Sequence, residues 1–187
     1  MKKRKLIIAI TGASGQIYAK RLLEKLNKFS TEIEEIAVCF TDSGLQVYKF
    51  ENEEELQAVG LIKIYNNKDL FAPMASGSQN YDTMIVVPAS MGTIARIANG
   101  YANDLIARAA DVVLKENQQL IIVPRETPYN KIHLRNLSLL ADAGAIILPA
   151  SPSFYHKPAT INDLVDTVVE RILKHINIDA EIKVWKK

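Results

Sequence analysis

The sequence holds one cysteine, Cys39, in 187 residues. An intrachain disulfide is impossible, and a cysteine-based structural zinc site is excluded. That scarcity fits a reducing compartment, and we expect a cytoplasmic protein. Histidine is nearly as scarce. His133, His156 and His175 show no metal-ligand spacing, so no bound metal is expected. Long apolar runs are missing too. The stretch 83–95 contains proline and small polar residues and falls short of the ~20 apolar residues that a membrane span needs. The start, Lys2-Lys3-Arg4-Lys5 before Leu6–Ile10, mimics a secretion signal, but Thr11-Gly12 ends it too early. A first buried strand explains it better. Basic charge is also short in the body of the chain. Seven of the 23 basic residues lie in the first five and last five positions, where no acid occurs. Residues 6–182 therefore carry 16 basic against 21 acidic side chains. Basic tails on an acidic body argue against nucleic-acid binding and read as solvated ends.

What is present is a globular composition, 48% hydrophobic and 24% charged, at a length that suits one domain over 1–187. Short runs rich in Ile, Val and Leu recur at 6–10, 36–40, 84–87, 120–123 and 145–148, with a shorter one at 62–65. They are nearly continuous rather than alternating, as in strands buried on both faces. Helical patterns lie between them, at 16–27, 43–50, 93–98, 105–116, 131–143 and 161–176. In the last, Ile161, Leu164, Val165, Val168, Val169 and Ile172 form one stripe, and Thr160 with Asp163 resembles a capping box. This alternation predicts an α/β three-layer sandwich around a parallel sheet. Ligands then bind beyond the carboxyl ends of the strands, where the informative segments are expected.

Thr11-Gly12-Ala13-Ser14-Gly15 follows the first strand. Its glycines permit close backbone approach, and amides at the helix start would favour an anion or an electron-rich ring atom. A tight turn without a ligand would also explain it. Tyr18 stands where a dinucleotide fingerprint wants a third glycine. Pro88-Ala89-Ser90-Met91-Gly92-Thr93 ends the fourth strand, with Ser90 as hydroxyl donor, helix cap or both. Ala75-Ser76-Gly77-Ser78 lies in a long irregular stretch, either functional or simply a surface loop. Pro124-Arg125-Glu126-Thr127-Pro128 sets an adjacent cation and acid at a strand end, fit for an anion clamp beside a proton donor or for a surface pair. Glu51 reads as one member of a solvated acidic run, Arg171 as a snorkelling arginine, and Lys115 as a cation at a helix carboxyl end.

Together these segments resemble the UbiX family of flavin prenyltransferases. The matching pieces are residues 11–18, 75–78, 90–93, 108–116, 125–128, 133–136 and 154–156, in the family's order and over nearly the whole chain. The resemblance implies a flavodoxin-like fold and transfer of a dimethylallyl group from dimethylallyl phosphate to N5 and C6 of reduced FMN. The product is prenylated FMN for UbiD-type decarboxylases, and no metal is needed. By position, Gly12, Ala13, Ser14, Thr41, Ser90, Met91, Gly92, Thr93 and Arg125 would bind FMN. Tyr155, Arg171, Lys115 and Arg125 would hold the dimethylallyl phosphate. Glu51 and Glu126, with Ser14, would serve catalysis and manage protons. The family commonly assembles as a dodecamer, with sites where protomers meet.

Asp42 departs from a common lysine, Leu70 from an aromatic, and Asn117-Gln118-Gln119 from a more basic run. Trp185 matches a tryptophan that reaches a neighbouring subunit or anchors the chain's own tail. Two other readings share the fold. A flavin-dependent decarboxylase of peptidyl or pantothenoyl cysteine wants an early histidine, yet His133 is the first here. A non-catalytic FMN carrier would not need Glu51, Glu126, Lys115, Tyr155 and Arg171 together.

Overall fold

Six strands, each short and apolar, pair in parallel: β1 Arg4–Ile10, β2 Ile33–Phe40, β3 Ile62–Tyr65, β4 Thr83–Ala89, β5 Gln119–Pro124 and β6 Ile146–Ile147. A computed structural model describes residues 3–178, so Trp185 and the carboxyl-terminal lysines lie outside the described residues. The strand order is β3-β2-β1-β4-β5-β6. Among the described residues six α-helices cover the sheet: α1 Gln16–Leu26, α2 Asp42–Asn52, α3 Met91–Ala98, α4 Leu105–Lys115, α5 Lys131–Asp142 and α6 Ile161–His175.

Alternate strand residues face two separate cores, which is why the runs do not alternate in polarity. Leu6, Ile8 and Ile10 of β1 pack with α1, α6 and Tyr48 of α2. Ile7 and Ala9 face the opposite layer, built from α3, α4 and α5. The result is the expected three-layer α/β sandwich, flavodoxin-like in architecture. The β3–β4 connection contains no α-helix. It descends along α4 through two 3-10 turns, Pro73–Ala75 and Gly77–Gln79.

The capping box at Thr160 forms as expected, and Ser90 caps α3, which moves that helix start from the expected Thr93 back to Met91. The second strand begins earlier than its apolar run. Glu35 is buried there because Lys63 Nζ, Tyr65 and Tyr81 donate to its carboxylate at 2.6, 3.0 and 2.7 Å. Cys39 is wholly buried on the sheet, and burial, then the nearby Asp104 charge, pushes its thiol pKa up to about 12. It is an inert core side chain.

Candidate functional site

The sheet winds outward in both directions from the β1–β4 pair, so the crevice at their carboxyl ends is the switch point where such folds receive ligands. Thr11 spans that crevice. Its hydroxyl donates to Pro88 O and accepts from Ser90 N, both at 2.7 Å. Gly12 lies so close to α2 that an added Cβ would come within 2.3 Å of Ser43 Oγ. Gly15 has φ +95°, a left-handed conformation that favours glycine.

The helix-start amides are not free, contrary to expectation. Glu51 Oε2 accepts from Gly15 N at 2.9 Å and from Gln16 N at 2.8 Å. A carboxylate at a helix amino end satisfies orphan donors and complements the dipole. Glu51 thus does not lie beyond its helix, and although it is exposed like its acidic neighbours, its carboxylate has a specific partner. It lies inside α2 and joins α2 to α1. Beneath the loop, Gln16 Nε2 donates to Thr11 O at 2.8 Å and to Ala13 O at 2.7 Å.

Around this loop the structure brings together most of the expected flavin contacts. Thr41 caps α2, its hydroxyl accepting from Gly44 N at 2.9 Å and lying 3.4 Å from Ser43 Oγ. Ser90 caps α3 and donates to Thr93 Oγ1 at 3.1 Å. Met91 is buried, whereas a Cβ on Gly92 would meet nothing within 4 Å, so that turn faces open space. Arg125 reaches back from the end of β5, Nε donating to Ser14 O at 2.9 Å. Exposed Glu126 accepts from Thr127 N at 2.9 Å. A cleft of about 390 Å³ opens beside Thr41, between α2 and the end of β3. Sequence reasoning assigned no role to Thr11, Gln16 or Ser43, although the first two lie inside the matching 11–18 segment. Only the GASG spacing hinted at their neighbourhood.

Other expected residues stand elsewhere. Tyr155 follows β6 on the carboxyl side and is 73% exposed. Arg171 is exposed on α6, beyond Asp166 and Glu170, which face α1. Lys115 ends α4 just before β5 begins, paired with Glu116 at 3.0 Å. It therefore sits at the amino edge of the sheet. Six residues of strand at about 3.3 Å each separate that edge from Arg125 by roughly 20 Å. The Ala75–Ser78 segment is also near the amino edge, with Gly77 pressed against Glu116. Not every informative segment lies at the carboxyl ends, and Lys115 does not converge with Arg125 within one chain.

The switch-point cluster holds hydroxyls at Ser14, Thr41, Ser90 and Thr93, open backbone at Gly92, and one cation, Arg125. That donor set suits a flat heteroaromatic ring carrying a phosphate, and it fits FMN. Among the described residues no group of three or more His, Cys, Asp or Glu could hold a metal, and no helix is long and apolar enough to cross a membrane.

The chain matches the Flavoprotein family over residues 1–173. It is 44% identical over 184 residues to the flavin prenyltransferase UbiX of Methanocaldococcus jannaschii, covering 97% of this chain and 98% of that one. A dodecameric FMN-dependent UbiX-like decarboxylase from Escherichia coli O157:H7 superposes with TM-score 0.92 at 37% identity, over 98% and 99% of the two chains. AnUbiX (PadA1), solved with FMN and dimethylallyl pyrophosphate, does so with TM-score 0.90 at 38% identity, over 100% and 99%. With a flavin-suited crevice in place and relatives matched along their whole length, the chain belongs to the Flavoprotein family and, within it, to the UbiX flavin prenyltransferases.

Proposed function

We propose that this protein joins the dimethylallyl group of dimethylallyl phosphate to N5 and C6 of reduced FMN, releasing phosphate. The observation that carries this is full-length likeness to a structure holding FMN and a dimethylallyl donor, combined with an intact switch-point crevice here. Gly12, Ala13, Ser14, Thr41, Ser90 to Thr93 and Arg125 hold the flavin. When bound, reduced FMN supplies the electron-rich ring that accepts the allylic carbon. Phosphate is a poor leaving group, so the protein must neutralise charge as the C–O bond breaks. Tyr155, Arg171, Lys115 and Arg125 take that task. Glu126 and Ser14, with Glu51, handle protons at the leaving oxygen and the flavin.

The separation of Lys115 and Arg125 by roughly 20 Å of strand gives this reading a geometric requirement. Lys115 of one copy must meet Arg125 and the flavin loop of another, so the phosphate site lies between protomers, in a dodecamer like that of the Escherichia coli relative. The product goes to a UbiD-type decarboxylase.

Anaerobic incubation with reduced FMN and dimethylallyl phosphate, or the diphosphate in a parallel arm, tests the activity. Mass spectrometry is expected to show flavin heavier by one five-carbon unit. Unmodified FMN with both donors overturns the proposal. Glu51→Gln is expected to bind FMN yet turn over at least ~10-fold more slowly. A wild-type rate removes Glu51 from proton handling and leaves it as the α1 cap.

A further inference from the structure

We infer that Gln16 is a positioning residue for flavin binding, a buried strut that fixes the shape of the Thr11–Ser14 loop; this rests on the flavin reading above. Gln16 is the first residue of α1 and is 0% exposed. Both hydrogens of its carboxamide nitrogen are spent on one loop, on the carbonyls of Thr11 and Ala13. The double contact dictates which end of the amide is nitrogen. Its oxygen, Oε1, is then left buried with no hydrogen-bond partner. An unmet buried acceptor is destabilising, and a leucine or methionine would fill the volume without it. The two donated bonds are the gain that offsets this cost, and they act on the loop alone.

The loop needs such a strut. Gly12 and Gly15 give its backbone wide conformational freedom, and a loop that orders only on binding weakens affinity by the cost of ordering. Side chains from several elements hold it still. Arg125 takes the Ser14 carbonyl, Glu51 takes the Gly15 and Gln16 amides, and Thr11 ties the loop to Ser90. Arg125 and Glu51 are also assigned to ligand or proton handling, so replacing them confounds shape with contact. Gln16 contributes two bonds from a fully buried position and is not among the expected flavin contacts. Altering it changes loop order while leaving every expected flavin contact in place.

The experiment compares wild type with Gln16→Met, which keeps the volume and removes both donors. FMN affinity by fluorescence titration, thermal midpoint, and kcat and KM for reduced FMN are measured on each. We expect FMN dissociation constant and KM to rise about tenfold, with kcat at saturating FMN within about threefold of wild type. Amide hydrogen exchange at residues 12–15 of the flavin-free protein should quicken. A lowered midpoint with unchanged FMN affinity makes Gln16 a stability residue only and overturns the inference. Should Gln16→Met not fold, Gln16→Glu keeps the shape and cannot supply two donors. Wild-type affinity in Gln16→Glu, or failure of both variants to fold, also overturns it. Absence of FMN binding by wild type overturns the flavin reading itself, and this inference with it.

Discussion

Gly12 admits no side chain. A Cβ there meets Ser43 Oγ at 2.3 Å and Ser43 Cβ at 2.8 Å, so the loop or α2 must move. Gly12→Ala is expected to lower stability by about 1–3 kcal/mol and to weaken FMN binding, as overpacking does. Adding Ser43→Gly should restore much of both, read by thermal unfolding and flavin titration. The motif made Gly12, Ser14 and Ser90 legible because their chemistry is local: a turn, a hydroxyl, a cap. Glu51 was not legible as a cap, because its partners are amides 35 and 36 positions away. Gln16 escaped notice because a polar residue at a helix start reads as exposed.

Elements were easier to read than sites. Two-faced burial produced the unbroken apolar runs, and helix stripes and caps produced the rest. The start of β2 was misjudged because a polar side chain there is neutralised by distant partners. Glu35 interrupts the apolar pattern of β2, yet it joins β2 to β3 and to Tyr81 ahead of β4. Burial alone would raise its pKa, but hydrogen bonds from Lys63, Tyr81 and Tyr65 outweigh burial and bring it below the usual carboxylate range. The network therefore contributes stability that is present above the unfolded-state pKa and lost as pH falls through the lowered folded-state value. Glu35→Gln should cost about 1–3 kcal/mol at pH 7, because the three donors lose a charged acceptor. Urea unfolding should show the gap from wild type shrinking as the pH is taken below about 4.

At the scale of the whole molecule, the proposed reading divides the site between copies of the chain. Lys115 and Arg125 occupy opposite edges of the sheet, and large apolar side chains stand exposed on the surface, Phe71 at 100% and Phe154 at 69%. The family resemblance implied sites where protomers meet, but not which residues fall on which side. The order of segments along the chain says nothing about which sheet edge each reaches until strand directions are known. A mixing experiment tests it. Lys115→Ala and Tyr155→Phe should each be nearly inactive alone. Refolded or co-expressed together at equal amounts, they should recover activity at about a quarter of sites if two copies contribute one residue each. No recovery would place both residues in the same protomer's site.

The buried thiol at Cys39 has a practical consequence. The protein carries one sulfhydryl, enclosed between sheet and helices and held protonated well above neutral pH. Thiol-specific reagents should therefore find nothing to label while the sheet is intact and one group per chain once it opens. Labelling stoichiometry becomes a direct count of opened molecules, free of the flavin absorbance that obscures optical probes. Under the oxygen exposure that reduced flavin invites, the same enclosure should keep the chain free of thiol damage for as long as it stays folded.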